Sequence, residues 1–325
     1  MSGSVTRCVR GRDSRGSAFW LIVTLSVWCD SPAMNSSTAT TVFLPVALGI
    51  VMLGLGLSLT VADFTRVVRY PKATIVALTC QILVLPAICL GLVLLFELEP
   101  VLAVGMMLLA ASPGGTTANL FSHLARGDVA LNITLTAINS VLAVVTLPIV
   151  VNLALAGFLD GDDAIGLQPA KVLQVFAIVL VPVAIGMLIH RKAPAFTERM
   201  RVPVKIASIV VLVAVILVAV WQERENVLGY LQDVGLVALL LCVLSLTIGY
   251  LVPRAAKIEK RQSIASAFEI GVHNSTLAIT IALSPSLLNS AEMAVPAAVY
   301  GLLVFLPAGV LAALFARDRE PAPIQ

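Results

Sequence analysis

The sequence predicts an all-α polytopic membrane protein with nine transmembrane helices, or ten if a short apolar run near the N-terminus also spans. Three observations carry this prediction. Of the 325 residues, 59% are hydrophobic and 12% are charged, against about 25% charge in an ordinary soluble fold. From residue 43 onwards, apolar stretches of membrane-spanning length follow one another with short connections. The charges in those connections separate by sign, as alternating membrane faces require. No low-complexity region or long hydrophilic domain interrupts the pattern.

In chain order, residues 1–33 carry Arg7, Arg10, Arg12 and Arg15, then an apolar run at 18–29, then Asp30 and Pro32. Twelve residues of helix rise about 18 Å, short of a ~30 Å hydrocarbon core. The piece reads as a signal-like segment or organellar presequence, a short extra helix, or sequence upstream of a start at Met34. The last is preferred, because the regular pattern begins after Met34. The predicted spans are 43–62, 73–96, 100–125 (broken near 113), 129–157, 168–189, 203–221, 234–252, 263–285 (broken near 271) and 292–316.

Taking alternate loops, one set holds Arg66, Arg69 and Lys72, then Arg126, then Arg191, Lys192, Arg199, Arg201 and Lys205, then Arg254, Lys257, Lys260 and Arg261, then Arg317 and Arg319. The other set holds Glu97 and Glu99, then Asp160, Asp162 and Asp163, then Glu223 and Glu225 with Arg224, then Glu292. A miscounted span would mix the two sets. Their separation supports nine spans, with residue 40 outside and the C-terminus in the cytoplasm. The order plain span, plain span, broken span, polar-striped span covers 43–157 and recurs over 203–316. Equivalent spans lie an odd number apart, which makes the repeats inverted in the membrane. The span at 168–189 has no partner in the first half unless 18–29 supplies one.

Five cysteines form no framework: Cys80, Cys89 and Cys242 sit in apolar runs and no CxxC spacing occurs, so disulfide, zinc and haem readings fail together. Chemistry concentrates instead at two interruptions. QSIASAFEIGVHNSTLAITIALSP (262–285) sets Glu269, His273, Asn274, Ser275 and Thr276 inside an apolar stretch. A carboxylate at mid-bilayer depth costs about 2.5–3.5 kcal/mol on insertion scales, so it persists where something compensates it. SPGGTTAN (112–119) breaks another span with Pro113, Gly114 and Gly115. Two broken segments in corresponding halves point to the binding site of a secondary transporter.

Glu269 and His273, four apart, share a face of a continuous helix. Gly271 between them favours unwinding, which would free backbone carbonyls beside the carboxylate. Carboxylate and carbonyl oxygens suit a small cation such as Na+; the competing reading is a buried pair that only ties helices together. Asn132, Thr136 and Asn139 form a polar stripe at i, i+4 and i+7. Asn139 reads best as helix-to-helix hydrogen bonding, and so does the lone amide Gln81. SPGGTTAN is no phosphate loop, since no Gly-Lys-Ser/Thr follows; a half-helix starting near Thr116 would present free N–H groups to an anion. Pro86, Pro148, Pro182, Pro296 and Pro307 read as tolerated kinks. His123 and His190 lie at span ends.

The stretches ASPGGTTANLFSHLARGDVALNITLT (111–136) and FEIGVHNSTLAI (268–279) resemble the two signature regions of the bile acid:sodium symporter family, in its bacterial-type form, and the likeness covers 43–316. The resemblance implies a core domain (72–157 and 230–316) beside a panel domain (43–62 and 163–222), with two broken helices crossing in the core. Residues 1–42 would be an N-terminal extension and 317–325 a cytoplasmic tail. It further implies coupling of organic-anion uptake to Na+. By position, a first Na+ site maps to Asn119, Asn132, Thr136 and Glu269, with Ala118 where a serine is often found. A second maps to Gln81, Glu269, the carbonyls of Ile270 and Val272, and His273, which stands where many members have glutamine. Gly115, Thr116 and Asn274 match positions beside the substrate.

The expectation is therefore a plasma-membrane secondary transporter taking up a small organic anion with Na+ by alternating access. It has membrane lipid around it, no organic cofactor, and no nucleic-acid or obligate protein partner. Imidazole offers nitrogen rather than oxygen, and a protonated one repels a cation. The alternative is thus proton coupling through His273 with at most one Na+. An intramembrane hydrolase would need a nucleophile with its base or an aspartate pair within the spans, and no span interior holds such a pair. Loops this short form no receptor or scaffold domain.

Overall fold

Wherever the structure describes the apolar runs, they are helical. The computed structural model describes residues 66–159, 169–200, 227–284 and 287–317, with single positions between 49 and 62 and at 203 and 206. Contacts divide the chain into Met1–Ala39 and Thr40–Gln325, and every described residue lies in the second unit. The expectations for 1–42, for the spans at 43–62 and 203–221 and for the tail beyond residue 317 fall wholly or largely outside the described residues. The other seven predicted spans fall on described helices.

The first of these helices, α1 (Pro71–Leu95), is not uniform. Pro86 lacks an N–H and its ring crowds the carbonyl four residues back. The backbone answers with a π turn over Cys80–Val84, in which the Leu85 N–H reaches the Cys80 carbonyl. Pro86 is thus more than a kink, because the widened turn carries Gln81. Next, α2 (Pro100–Ala111) is apolar on every side and buried from Leu102 to Ala111, as befits a helix surrounded by others. It stops at Ser112 (φ −70, ψ 143), which Pro113 forces out of the helical region. After the link 112–115, α3 (Thr116–Leu124) runs nine residues.

Arg126 (φ 59) ends α3 in the left-handed region. The N–H groups of Gly127 and Arg126 return to the carbonyls of Ser122 (2.8 Å) and His123 (3.1 Å), a Schellman closure. Asp128 then accepts the Leu131 N–H and caps α4 (Val129–Phe158). The helices α5 (Pro169–Lys192) and α6 (Val227–Ala255) follow.

The second broken helix repeats the first. Its halves are α7 (Lys260–Gly271) and α8 (Ser275–Leu283), of twelve and nine residues like α2 and α3. Each first half is entered the same way. Glu97 (φ 50) and Lys257 (φ 59) are left-handed, and extended Glu99 and Glu259 stand at the N-caps. Gly271 does not unwind the helix as expected. It is still helical, and its missing side chain lets Leu246 of α6 pack against the backbone; the link is 272–274 instead. The last helix, α9 (Glu292–Arg317), starts with a 3-10 turn and is jointed at Val304, one turn before the N–H that Pro307 lacks.

Four of these helices are long and apolar enough to cross a membrane: Pro71–Leu95, Val129–Phe158, Gln232–Ala255 and Glu292–Arg317. The half-helices α2 and α7 sit inside, α2 packed against α4 and α9 and α7 against α4 and α6. Leu83, Leu95, Val145, Ile149, Leu153, Leu236, Leu302 and Leu306 remain exposed, an apolar exterior that lipid would cover.

Candidate functional site

The two links meet. Gly115 donates its N–H to the Val272 carbonyl (2.7 Å) and Asn274 donates to the Pro113 carbonyl (2.8 Å), so Gly114 and His273 pair as an antiparallel bridge. A polar backbone away from water has to be satisfied, and each break supplies the other's partners. The C-terminal ends of α2 and α7 and the N-terminal ends of α3 and α8 converge here. Helix dipoles therefore place partial negative charge beside partial positive charge in one region.

Glu269, 2% exposed, lies at this crossing on the last turn of α7. Its Oε2 accepts from the Thr136 hydroxyl of α4 (2.5 Å), whose single proton is shared with the Asn132 carbonyl (3.0 Å). Gly114 lacks a side chain because the carboxyl group occupies that space: a Cβ there would lie within 3 Å of all three carboxyl atoms. The Gly114 N–H and the Asn139 amide approach the same group, although Asn139 Nδ2 completes no hydrogen bond. The remaining oxygen, Oε1, is buried without a partner.

The neighbouring amides repeat this pattern. Asn132 donates through Nδ2 to the Ala265 carbonyl (2.7 Å), and its Oδ1 is left over. Gln81 donates through Nε2 to the Ser112 carbonyl (3.0 Å), and its Oε1 is left over. Asn119 Oδ1 on α3 is likewise buried and unbonded. A buried polar atom without a partner costs about 1–3 kcal/mol, and these four atoms are all oxygens. Like the Thr136 hydroxyl, each is a hard donor of the kind a small cation takes.

His273 is 4% exposed. Its Nδ1 lies 3.4 Å from the Ser112 carbonyl, the same oxygen that Gln81 uses, and its Nε2 has no partner. Beside it stands Tyr300, fully buried, with ring centroids 5.3 Å apart. The Tyr300 hydroxyl donates to the Gly271 carbonyl (2.7 Å), which the end of α7 would otherwise leave open. Ile270 packs its side chain among Leu85, Leu131 and Leu135, leaving only its backbone for a ligand. The Val272 carbonyl already accepts from Gly115 and keeps one lone pair. Asn274 caps α8 by accepting the Leu277 N–H (3.0 Å). Gly115 is the N-cap of α3 and Thr116 its first residue.

Thr136 and Glu269 are thus in direct contact, and Gln81 and His273 share one acceptor. Sequence reasoning missed three parts of this region. Asn139, read as packing glue, faces the carboxylate. The Ser112 carbonyl is an acceptor with no sequence signature. Tyr300 could have been found, since a tyrosine within an apolar span must partner its hydroxyl.

Comparison with known proteins identifies the family. Residues 45–230 match the Sodium Bile acid symporter family. The probable sodium/metabolite cotransporter BASS2, chloroplastic, of Oryza sativa subsp. japonica is 29% identical over 309 residues, covering 93% of this chain and 70% of that protein. The uncharacterized sodium-dependent transporter YocS of Bacillus subtilis is 27% identical over 299 residues, 92% of this chain and 90% of its own length. The ileal sodium/bile acid cotransporter of Homo sapiens is 25% identical over 243 residues, 73% and 68% of the two chains. These relatives are sodium-dependent transporters or cotransporters rather than enzymes. With more than half of its length matched, the chain belongs to the sodium bile acid symporter family.

Proposed function

We propose that this protein is a secondary active transporter that couples the uptake of a small organic anion to Na+ by alternating access. One observation carries the reading: a buried carboxylate, Glu269, stands with three unpartnered amide oxygens around the crossing of two broken helices. Na+ held by Asn119, Asn132, Thr136 and Glu269 would offset the cost of these bare oxygens and neutralise the carboxylate. A second Na+ would lie toward Gln81, Glu269, His273 and the carbonyls of Ile270 and Val272. The cation then pins the links together, and an anion binds on the opposite side, at Gly115, Thr116 and Asn274. There the N-terminal ends of α3 and α8 supply N–H groups and positive dipole.

The repeated layout of the two broken helices supports inverted repeats. The entry to α2 carries Glu97 and Glu99, whereas the entry to α7 carries Lys257, Lys260 and Arg261 against Glu259, a basic excess that would put the two on opposite membrane faces. Each broken helix supplies twelve plus nine helical residues; that rise is about 32 Å, enough to cross a ~30 Å hydrocarbon core. On this reading, with the basic loops cytoplasmic, the C-terminus lies in the cytoplasm, the N-terminal side of the span at 43–62 lies outside, and the membrane is the plasma membrane. Core segments 72–157 and 230–316 would rock against panel segments 43–62 and 163–222.

Purified protein is screened for thermal stabilisation by organic anions with and without Na+, including keto acids, pantoate-like acids, sulfonates and bile acids. The reading expects at least one anion whose effect requires Na+; stabilisation by anions that ignores Na+ throughout would overturn it. A second reading, proton coupling through His273, is favoured by its buried Nε2 without a partner. Uptake in Na+-free buffer over a pH series separates the two, since persistent, acid-stimulated transport belongs to the proton reading alone.

A further inference from the structure

Several serine and threonine hydroxyls on these helices donate to a carbonyl one turn back, as Thr134, Thr136, Ser140, Ser263 and Thr280 do. That local bond is the easy way to satisfy a hydroxyl in an apolar helix. Ser122 on α3 lacks that bond, as do Thr74, Thr197, Ser266 and Ser275: it is fully buried, its Oγ has no partner, and its place in the fold sets it apart. It sits one turn beyond Asn119 on the same face of α3, and Asn119 Oδ1 is also unpartnered.

Two facts place Ser122 one turn below Glu269. A Cβ at Gly127 would fall 2.7 Å from Ser122 Oγ and 3.2 Å from the Ala265 nitrogen. Asn132 Nδ2 binds the carbonyl of that same Ala265, with Asn132 Oδ1 left bare. Ser122 and Asn132 therefore flank Ala265 on α7, four residues before Glu269. Beyond them the wedge closes against a basic turn, where Asp128 donates its N–H to the Arg261 carbonyl (2.9 Å) and Arg261 Nε donates to the Arg126 carbonyl (3.3 Å). Gly127 leaves the hydroxyl its room.

We infer that Ser122 Oγ, with Asn119 Oδ1 and Asn132 Oδ1, forms a way station through which Na+ passes between Glu269 and the membrane face carrying Arg126 and Arg261. The station rests on the Na+ role of Glu269 proposed above. An ion leaving the carboxylate would otherwise cross a turn of apolar packing among Phe121, Ile264 and Phe268, and a bare hydroxyl lowers that barrier by replacing lost ligands one at a time.

The test uses full-length protein, loaded with 22Na+ and chased with choline chloride, beside Na+-dependent thermal stabilisation at equilibrium. Ser122→Ala should slow 22Na+ release about tenfold, a barrier rise of about 1.4 kcal/mol, while the Na+ concentration for half-maximal stabilisation rises no more than about threefold. Ser122→Thr, which restores the oxygen, should recover at least half of the rate. Gly127→Ala, which crowds the hydroxyl without removing it, should slow release in the same way. Unchanged release in both Ser122→Ala and Gly127→Ala overturns the station, as does a Ser122→Ala protein that binds Na+ far more weakly and releases it faster. Glu269→Gln separates the two ideas: stabilisation by Na+ that survives this change sinks the ion reading itself, whereas its loss beside unchanged release in Ser122→Ala sinks only the station.

Discussion

Replacing Gly114 by alanine tests the crossing at its tightest point. The added Cβ would lie within 3 Å of the Glu269 carboxyl carbon and both its oxygens. Non-bonded heavy atoms settle about 3.5–4.0 Å apart, so the carboxyl group must retreat by roughly 1 Å. The Gly114 backbone cannot give way instead without breaking the Gly115 and Asn274 bonds that join the two links. A shift of that size moves the carboxyl group off the Thr136 hydroxyl that it accepts from and weakens that bond steeply. A hydrogen bond to a charged group contributes about 1.5–3 kcal/mol, which corresponds to about 10- to 150-fold in a binding constant. Na+-dependent thermal stabilisation of Gly114→Ala should therefore need at least tenfold more Na+ than wild type, with the protein still folded. A half-maximal Na+ concentration within twofold of wild type would refute the claim that Glu269 must sit where it does.

Three further outcomes follow from the same geometry. Thr136→Val keeps the side-chain shape and removes the hydroxyl, so Na+ binding should weaken by about 1.5–3 kcal/mol in a 22Na+ titration; an unchanged isotherm would remove Thr136 from the site. Tyr300→Phe leaves the Gly271 carbonyl open at a cost of about 1–3 kcal/mol, and differential scanning fluorimetry should show a melting temperature lower by a few degrees, while no change would mean water replaces the hydroxyl. His273→Gln sets an amide oxygen where Nε2 is bare, so half-saturation by Na+ should fall and any acid-stimulated uptake in Na+-free buffer should vanish; acid stimulation that survives would take the proton role away from His273.

Much of the site was legible because local chemistry wrote it. Pro113 forbids helix at Ser112, so the first break could be placed within a residue or two. Glu269 stood out because an acid has no reason to be in an apolar run without compensation. For the seven predicted spans within the described residues, apolar length alone located the helices. What stayed hidden depends on residues far apart in the chain. Thr136 and Glu269 are 133 positions apart, and Tyr300 and Gly271 are 29 apart. The place of Gly271 was misjudged for the same reason: glycine signals either a loosened backbone or a close neighbour, and only the packing of Leu246 against it decides for the second. Likewise Pro86 marked a disturbance in α1 without saying that a π turn would absorb it and carry Gln81. Asn139 was one amide on a stripe until the crossing brought Glu269 beside it.

The most direct measurement is equilibrium 22Na+ binding to the purified protein and to Glu269→Gln, at matched protein concentration and constant ionic strength in choline chloride. Saturable binding in the wild type, displaced by unlabelled Na+ and absent in Glu269→Gln, is the result this account predicts. Equal binding by the two proteins would contradict it, because the carboxylate at the crossing would then hold no ion.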